Sequence, residues 1–356
     1  MSQFNHPLYS SPCGWNALLG PRRTNPPLMG NLACDVAIVG AGYTGLAAAR
    51  QWAVNAPDDH VVVIDSSEIG EGNPGRNSGF LLEISLANDA DAGNMRRMNE
   101  CNRLIAGAMR EIVELVRAGD IDCELHRSGT YRAAAGKAGR EALANYAAFL
   151  DAAALPYEML GHAELKERLG TRFYQHGLYS PHCYLAQPAA LVRSLAEQLP
   201  PSIRVFESTP VTRLSRTGAE WRLQAATGTV RCRKVVLANN AFCKDLGVGT
   251  SRIVAMYTYA ALTKPLAPEM LAGLGSDGHW GLLPAHRLGS TLRRTVDGRL
   301  LIRSLYGYEK EAPNAEIALK LASSLRRRFP QLGDVEFDHC WSGATGFTLN
   351  GAPIWG

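Results

Sequence analysis

The stretch Asp35–Ala53, DVAIVGAGYTGLAAARQWA, decides how the rest of the chain is read. Val36 to Val39 is a short, wholly apolar run, as a parallel strand buried on both faces should be. Gly40, Gly42 and Gly45 follow at once as G-x-G-x-x-G, and Leu46 to Trp52 reads as an alanine-rich helix. A second apolar strand, Val61 to Asp65, closes a βαβ unit of about 30 residues. Gly40 permits the tight turn, Gly42 lets a pyrophosphate approach the backbone at the helix N-terminus, and Gly45 lets helix pack on strand. Asp65 comes twenty positions after Gly45, where an acid meets the hydroxyls of an adenosine ribose and disfavours a 2′-phosphate. Tyr43, Thr44 and Ser66 flank these positions and join the candidate dinucleotide site. NAD and FAD share this fingerprint, and a plain structural turn with a surface Asp is the remaining reading.

The chain has 356 residues, too many for one ordinary core, so two domains are expected. Hydrophobic content of 46% and charged content of 20% are those of a globular protein rather than a disordered or fibrous one. The net charge of +4 is small for this length, and the run Arg326-Arg327-Arg328 falls on a predicted helix as a solvated face. Nucleic acid is therefore not an expected partner. Eight cysteines lie between positions 13 and 340 without a C-x-x-C or His spacing, which predicts reduced thiols and no structural metal. The start has no apolar signal-like run, and no stretch approaches the ~20 apolar residues of a membrane span. Cytoplasmic location is the resulting expectation.

Outward from the motif, residues 1–32 read as an irregular, Pro- and Asn-rich arm. Helices are predicted at Met98 to Val116, with Leu104, Ile105, Met109, Ile112 and Val116 as one stripe, and at Lys137 to Ala153, Ala163 to Leu169 and Pro188 to Leu199. Short strands at Val211 to Leu214, Trp221 to Gln224 and Val230 to Cys232 form a meander, and Val235 to Ala238 is a further buried strand. Residues 253–310 alternate like an antiparallel sheet, with Asp297-Gly298 as a hairpin signal. Glu316 to Arg328 is helical, and a last strand is expected near Glu336 to Trp341. The fold class is α/β: a Rossmann-like, dinucleotide-binding domain with βαβ unit and β-meander, discontinuous over 33–95, 183–250 and 335–356. A substrate domain of antiparallel sheet and helices takes 96–182 and 251–334.

The segment Glu68 to Phe80, EIGEGNPGRNSGF, is a glycine-rich loop beyond what an NAD fold needs. With it, the chain resembles the D-amino-acid-oxidase-like family of FAD-dependent oxidoreductases, and most nearly its γ-glutamylputrescine oxidase branch. Arg76, Asn77 and Gly79 match the family's loop, while Asn73, Pro74 and Ser78 depart from it. AQPAALVRSLAEQL is similar to the family's Asn-Pro helix with Gln187 in place of Asn, and TPVTRL and KVVLANNAF are similar to the strands that close the FAD site. The resemblance implies FAD as cofactor, held by Arg76, Asn77, Ser78 and Gly79 besides the glycine turn. It also implies adenine at the backbone of Val211, and pyrophosphate near Ala238 and Asn239.

The implied reaction is hydride transfer from a C–H beside an amine to flavin N5, leaving an imine that water hydrolyses, with oxygen or a quinone taking the electrons onward. The family's Trp-x-Gly-x-Arg-Pro pattern appears as Trp341, Ser342 and Gly343 followed by Ala344, Thr345 and Gly346, so the carboxylate-clamping Arg is missing. That points to an amine, γ-glutamylated or polyamine-like, ahead of a simple amino acid of D-amino acid, glycine or sarcosine type. A carboxylate has Arg294 or Arg303 as other anchors. Tyr257 and Tyr259, and Tyr306 and Tyr308, share strand faces and are candidates for an aromatic cavity wall, or else ordinary sheet aromatics. His286, His182 and Cys183 are further cavity candidates, and Cys243 and Cys340 are candidates for a covalent flavin link. The rival readings are an inactive flavin-binding module and an NAD-dependent dehydrogenase. Trp341, Gly343, Thr348, Pro353 and Gly356 match a pattern that in the family leads into another strand and a long helix, so a continuation of about 60 residues is expected.

Overall fold

The computed structural model describes residues 7–85, 92–286 and 288–348. Pro353 and Gly356 of the terminal pattern lie outside the described residues. The arm carries one short helix, α1 (Gly14–Ala17). The glycine motif forms β1 (Gly30–Val39), α2 (Tyr43–Asn55) and β2 (Val61–Ile64), and the glycine-rich loop forms α3 (Asn73–Arg76) and β3 (Phe80–Leu82). Then come α4 (Met95–Ala118), β4 (Thr130–Ala134), α5 (Lys137–Ala152), β5 (Glu158–Gly161), α6 (His162–Leu169) and β6 (His176–Ser180). β7 (Cys183–Leu185), α7 (Pro188–Glu197), β8 (Ile203–Phe206), β9 (Arg213–Thr217), β10 (Glu220–Gln224) and β11 (Gly228–Leu237) follow. The remainder is β12 (Ile253–Thr263), α8 (Pro268–Ala272), β13 (Trp280–Pro284), β14 (Thr291–Arg294), β15 (Leu300–Tyr308), α9 (Asn314–Arg328) and β16 (Phe337–Thr348).

Two sheets organise these elements. The six-stranded sheet runs β8-β2-β1-β11-β10-β9; its first four strands are parallel and the last two pair antiparallel as the meander. Val36, Ile38, Val61 and Val63 face α2 and α7 on one side, while Ala37, Val39, Val62 and Ile64 bury against Phe206, Val211 and Val230 on the other. Burial on both faces is why those strands read as unbroken apolar runs.

The eight-stranded sheet runs β16-β12-β15-β14-β13-β4-β6-β5 and is antiparallel except where β13 meets β4. One of its faces packs on α9 and α6 through Leu282, Leu292, Ile302, Leu321 and Leu325. The other face looks toward the glycine-rich loop and α7.

Several expectations need correcting. The meander strand near Val230 and the strand near Val235 are one ten-residue strand, β11. Arg231, Arg233 and Lys234 break its apolar pattern but stand outward from a continuous parallel ladder with β1. On α4, Met98, Met109 and Val116 are buried, but Leu104 is 61% exposed and does not belong to the stripe. The last strand is twelve residues long and pairs with β12, so residues 337–348 belong to the eight-stranded sheet and not to the sheet of the βαβ unit. The irregular arm is in part core: Cys13 and Trp15 are 0% and 1% exposed, packed with Trp341, Leu301 and Ala189.

Candidate active site

The glycine turn has the geometry the motif requires. Gly40 sits at φ +106°, a region closed to residues with a Cβ, and an added Cβ would lie 2.6 Å from the carbonyl of Ala238. A Cβ on Gly45 would lie 1.8 Å from the Gly40 carbonyl, so helix and strand can approach only with glycine there. No side chain caps the N-terminus of α2, leaving its first N–H groups free for an anion. Asp65 holds the turn to β2: its carboxylate accepts from the N–H of Ala41 at 2.7 Å and from the N–H and hydroxyl of Ser67 at 3.0 and 3.2 Å. Burial pushes its carboxyl up from the usual value, against those donors. Thr44 is exposed, and the Tyr43 hydroxyl lies 3.5 Å from the carbonyls of Pro74 and Pro188. Ser66 follows Asp65 half-buried.

Around the turn, two buried polar atoms have no protein partner: Oδ1 of Asn239 and Oγ of Ser78. Ala238 bonds through its N–H to the Val39 carbonyl at 2.8 Å, which lays Ala238 and Asn239 beside Gly40. Neither backbone group of Val211 has a hydrogen-bond partner among the described residues. Orphaned groups lining a cradle of backbone N–H fit a dinucleotide with an adenine, a pyrophosphate and a polar ring edge.

The glycine-rich loop is tied down more than it is open. Arg76 is 5% exposed and donates to the carbonyls of Glu71, Ser342 and Ser11, with the Glu71 carboxylate 3.0 Å away and the Tyr9 ring over it. Asn77 donates to the Pro74 carbonyl and accepts from the N–H of Gly79 at 2.7 Å. Both residues, expected at the cofactor, spend these groups on holding the loop. Gln187 caps α7 by accepting from the N–H of Ala190 at 2.8 Å and also donates to the carbonyl of Trp15. The helix is therefore capped with Gln in place of Asn.

The sheet face above this loop is fixed by register. Trp341 donates from Nε1 to the Arg76 carbonyl at 3.0 Å, and a Cβ on Gly343 would lie 3.0 Å from Oδ1 of Asn73. Trp341 pairs with Ala260, Ala260 with Arg303, and Arg303 with Thr291. Directly paired residues share a face, so this row looks toward the loop. A second row, Gly343–Thr258–Tyr306, lies beside it. Tyr306 and Arg303 thus reach the cleft.

The other candidates stand elsewhere. Arg294 is on the α9 side and donates to the Asp277 carbonyl at 3.1 Å. Tyr257 and Tyr259 also face that core, and the Tyr259 hydroxyl accepts from the Ala312 N–H. Tyr308 is 68% exposed. His286 is exposed in a turn, where its ring accepts from the N–H of Leu288 at 3.1 Å. Cys340 packs on the same far side as Tyr257, and Cys243 is half-buried in the turn after β11. Alternation reveals which residues share a face; which face is core depends on what packs there. The residue that sequence reasoning missed is Thr291, 1% exposed with its hydroxyl unpartnered, and its only signal was its place opposite Arg303.

Fold and turn define an α/β dinucleotide-binding protein whose second sheet closes over the cofactor loop. Residues 35–356 match the family model described as FAD dependent oxidoreductase (DAO). The chain is 25% identical over 349 residues to a Rhizobium meliloti protein named probable oxidoreductase OrdL, spanning 96% of this chain and 80% of the relative. It is 26% identical over 344 residues to the Escherichia coli gamma-glutamylputrescine oxidoreductase, spanning 92% and 77%. The fold matches glycine oxidase from Geobacillus kaustophilus at a TM-score of 0.75 with 20% identity, covering 91% of this chain and 86% of that one. The chain belongs to the DAO family of FAD-dependent oxidoreductases, and its cofactor is FAD. Among the described residues no helix is long and apolar enough to cross a membrane, and no cluster of His, Cys, Asp and Glu has a metal site's arrangement.

Proposed function

We propose that this enzyme oxidises the C–N bond of an amine, of γ-glutamylputrescine or polyamine-like type, releasing an imine that water hydrolyses. FAD, when bound, supplies the hydride acceptor. The observation that carries the reading is the composition of the cleft face: the rows Trp341–Ala260–Arg303–Thr291 and Gly343–Thr258–Tyr306 contain no carboxylate and no imidazole. Such a face suits a substrate whose own nitrogen lone pair drives loss of hydride, so that no protein base has to take a proton. Gly40, Gly42, Gly45 and Asp65 would hold the adenosine diphosphate half, with Val211, Ala238 and Asn239 at its adenine and pyrophosphate. Ser78 would reach the flavin end, and Arg76 and Asn77 would keep that loop in place. Tyr306 offers an aromatic edge to the amine. The Escherichia coli relative's name supports the substrate type.

Anaerobic addition of γ-glutamylputrescine, putrescine, glycine, sarcosine and D-alanine to the FAD-loaded protein tests the reading. Bleaching of the flavin band by the amines is expected. Bleaching by D-alanine alone would replace the proposal with an amino-acid oxidase, and none by any compound would leave a flavin-binding protein without this activity.

A further inference from the structure

Thr291 and Arg303 stand directly opposite one another on β14 and β15, on the face toward the glycine-rich loop. Arg303 makes no hydrogen bond or ion pair among the described residues, and burial holds its guanidinium below its ordinary value, with Tyr306 as its charged-state neighbour. Thr291 is 1% exposed and its hydroxyl has no partner. The same face continues across β13 to Arg132, since Leu283 pairs with Arg132 while Leu282 pairs with Leu292. Arg132 is 3% exposed, stacked 4.7 Å over the Tyr146 ring, and its Nε and Nη2 are unpartnered. Charged donors are rarely buried without acceptors, because each unmet group costs on the order of 1–3 kcal/mol or more. Elsewhere in the molecule the buried arginines meet that need with protein acceptors: Arg76 with carbonyls and Glu71, Arg299 with Asp297 and Asp338.

We infer that Arg303 and Thr291 form an anion subsite, so that the substrate carries, besides its amine, a carboxylate or similar oxyanion read by the β14–β15 pair. The guanidinium supplies a charge-assisted pair of N–H donors and the Thr hydroxyl a further donor, while Arg132 adds positive potential from two strands away. A free polyamine brings only positive charge to this face and is disfavoured; an amine bearing a carboxylate fits. This rests on the amine-oxidising reading of the same cleft, which it narrows.

The test uses acetate as probe, titrated into the FAD-loaded protein and read as perturbation of the flavin absorption, with chloride as the ionic-strength control. Saturable perturbation is expected. Arg303→Gln should weaken it roughly 10- to 100-fold and Thr291→Val roughly 2- to 10-fold, with Arg303→Lys intermediate. In steady state, γ-glutamylputrescine should beat putrescine, and Arg303→Gln should remove that advantage while leaving putrescine within about threefold. No saturable acetate effect, or the same effect in Arg303→Gln and Thr291→Val, overturns the inference. So does loss of FAD from Arg303→Gln at an unchanged unfolding midpoint, which would assign the residue to the cofactor. Turnover of putrescine equal to that of γ-glutamylputrescine sinks the anion subsite but leaves amine oxidation standing. Acetate binding that depends on Arg303, with no amine bleaching the flavin, keeps the subsite and sinks the reaction.

Discussion

Trp15 of the arm and Trp341 of β16 meet edge to face, ring centroids 6.3 Å apart, and donate to consecutive carbonyls of the cofactor loop. Trp15 Nε1 reaches the Asn77 carbonyl at 2.8 Å and Trp341 Nε1 the Arg76 carbonyl at 3.0 Å. The two indoles come from opposite ends of the described chain and clamp the same two residues. Arg76 returns the tie by donating to the carbonyls of Ser11 and Ser342. The loop expected to line the flavin is thereby fixed by the arm on one side and the second sheet on the other.

Removing one of those donors isolates its contribution. Trp15→Phe keeps most of the ring but leaves the Asn77 carbonyl unmet, a loss of about 1–3 kcal/mol. Trp15→Ala also empties the space and should cost about 3–5 kcal/mol. Urea unfolding reads both. FAD should dissociate faster from each, and unchanged FAD release would separate the clamp from cofactor holding.

Gly45→Ala places a methyl inside the 1.8 Å gap to the Gly40 carbonyl, so β1 and α2 must separate. FAD affinity should fall at least tenfold. Gly42→Val should block the pyrophosphate's backbone approach and abolish binding. Equilibrium titration of FAD into apoprotein checks both; a Gly42→Val protein that binds FAD normally would refute the pyrophosphate assignment.

Asp65→Ala removes the acceptor for the Ala41 and Ser67 N–H groups as well as the proposed ribose contact. FAD affinity should drop more than tenfold, because turn and ribose lose the same carboxylate. Unchanged affinity would show that the ribose is read elsewhere.

The arm docks through Glu207, which is 1% exposed and ion-paired with Arg22. Burial alone would push its carboxyl up; the Arg22 guanidinium, together with the N–H groups of Asn25 and Ile69, outweighs burial and holds it below the usual range. A carboxyl lowered in the folded state contributes stability above its unfolded value near 4.3 and loses it as pH falls through the folded one. The docking contribution should therefore be constant from pH 7 to 5 and fade below about 4.3. Glu207→Gln should remove that acid-linked part, and Arg22→Met, which strands a buried carboxylate, should cost about 3–5 kcal/mol at pH 7. Urea midpoints against pH are the measurement, and an identical acid limb in Glu207→Gln would sink the assignment.

Local signals carried much of the fold. The β1–α2–β2 unit was legible because apolar run, glycine spacing and following acid all lie within one short segment and obey one steric logic. The hairpin at Asp297-Gly298 was legible for the same reason, with Gly298 at φ +78°. Long-range pairing was less so: β11 reads as two strands because Arg231, Arg233 and Lys234 interrupt its apolar pattern, and only the ladder to β1 makes it one.

By itself, then, the sequence determined the dinucleotide turn, the class of fold and the kind of cofactor, since each depends on backbone sterics within some thirty residues. Only the tertiary structure decided the cleft. Tyr257 and Tyr259 alternate as Tyr306 and Tyr308 do, yet the first pair faces the core beneath α9 while Tyr306 faces the loop. A register shift between Thr258 and Tyr259, with Leu305 at φ +62°, sets which side chains of β15 turn inward. The place of β16 beside β12, and of Arg303 opposite Thr291, follows from pairings between segments far apart in the chain, which no local pattern encodes.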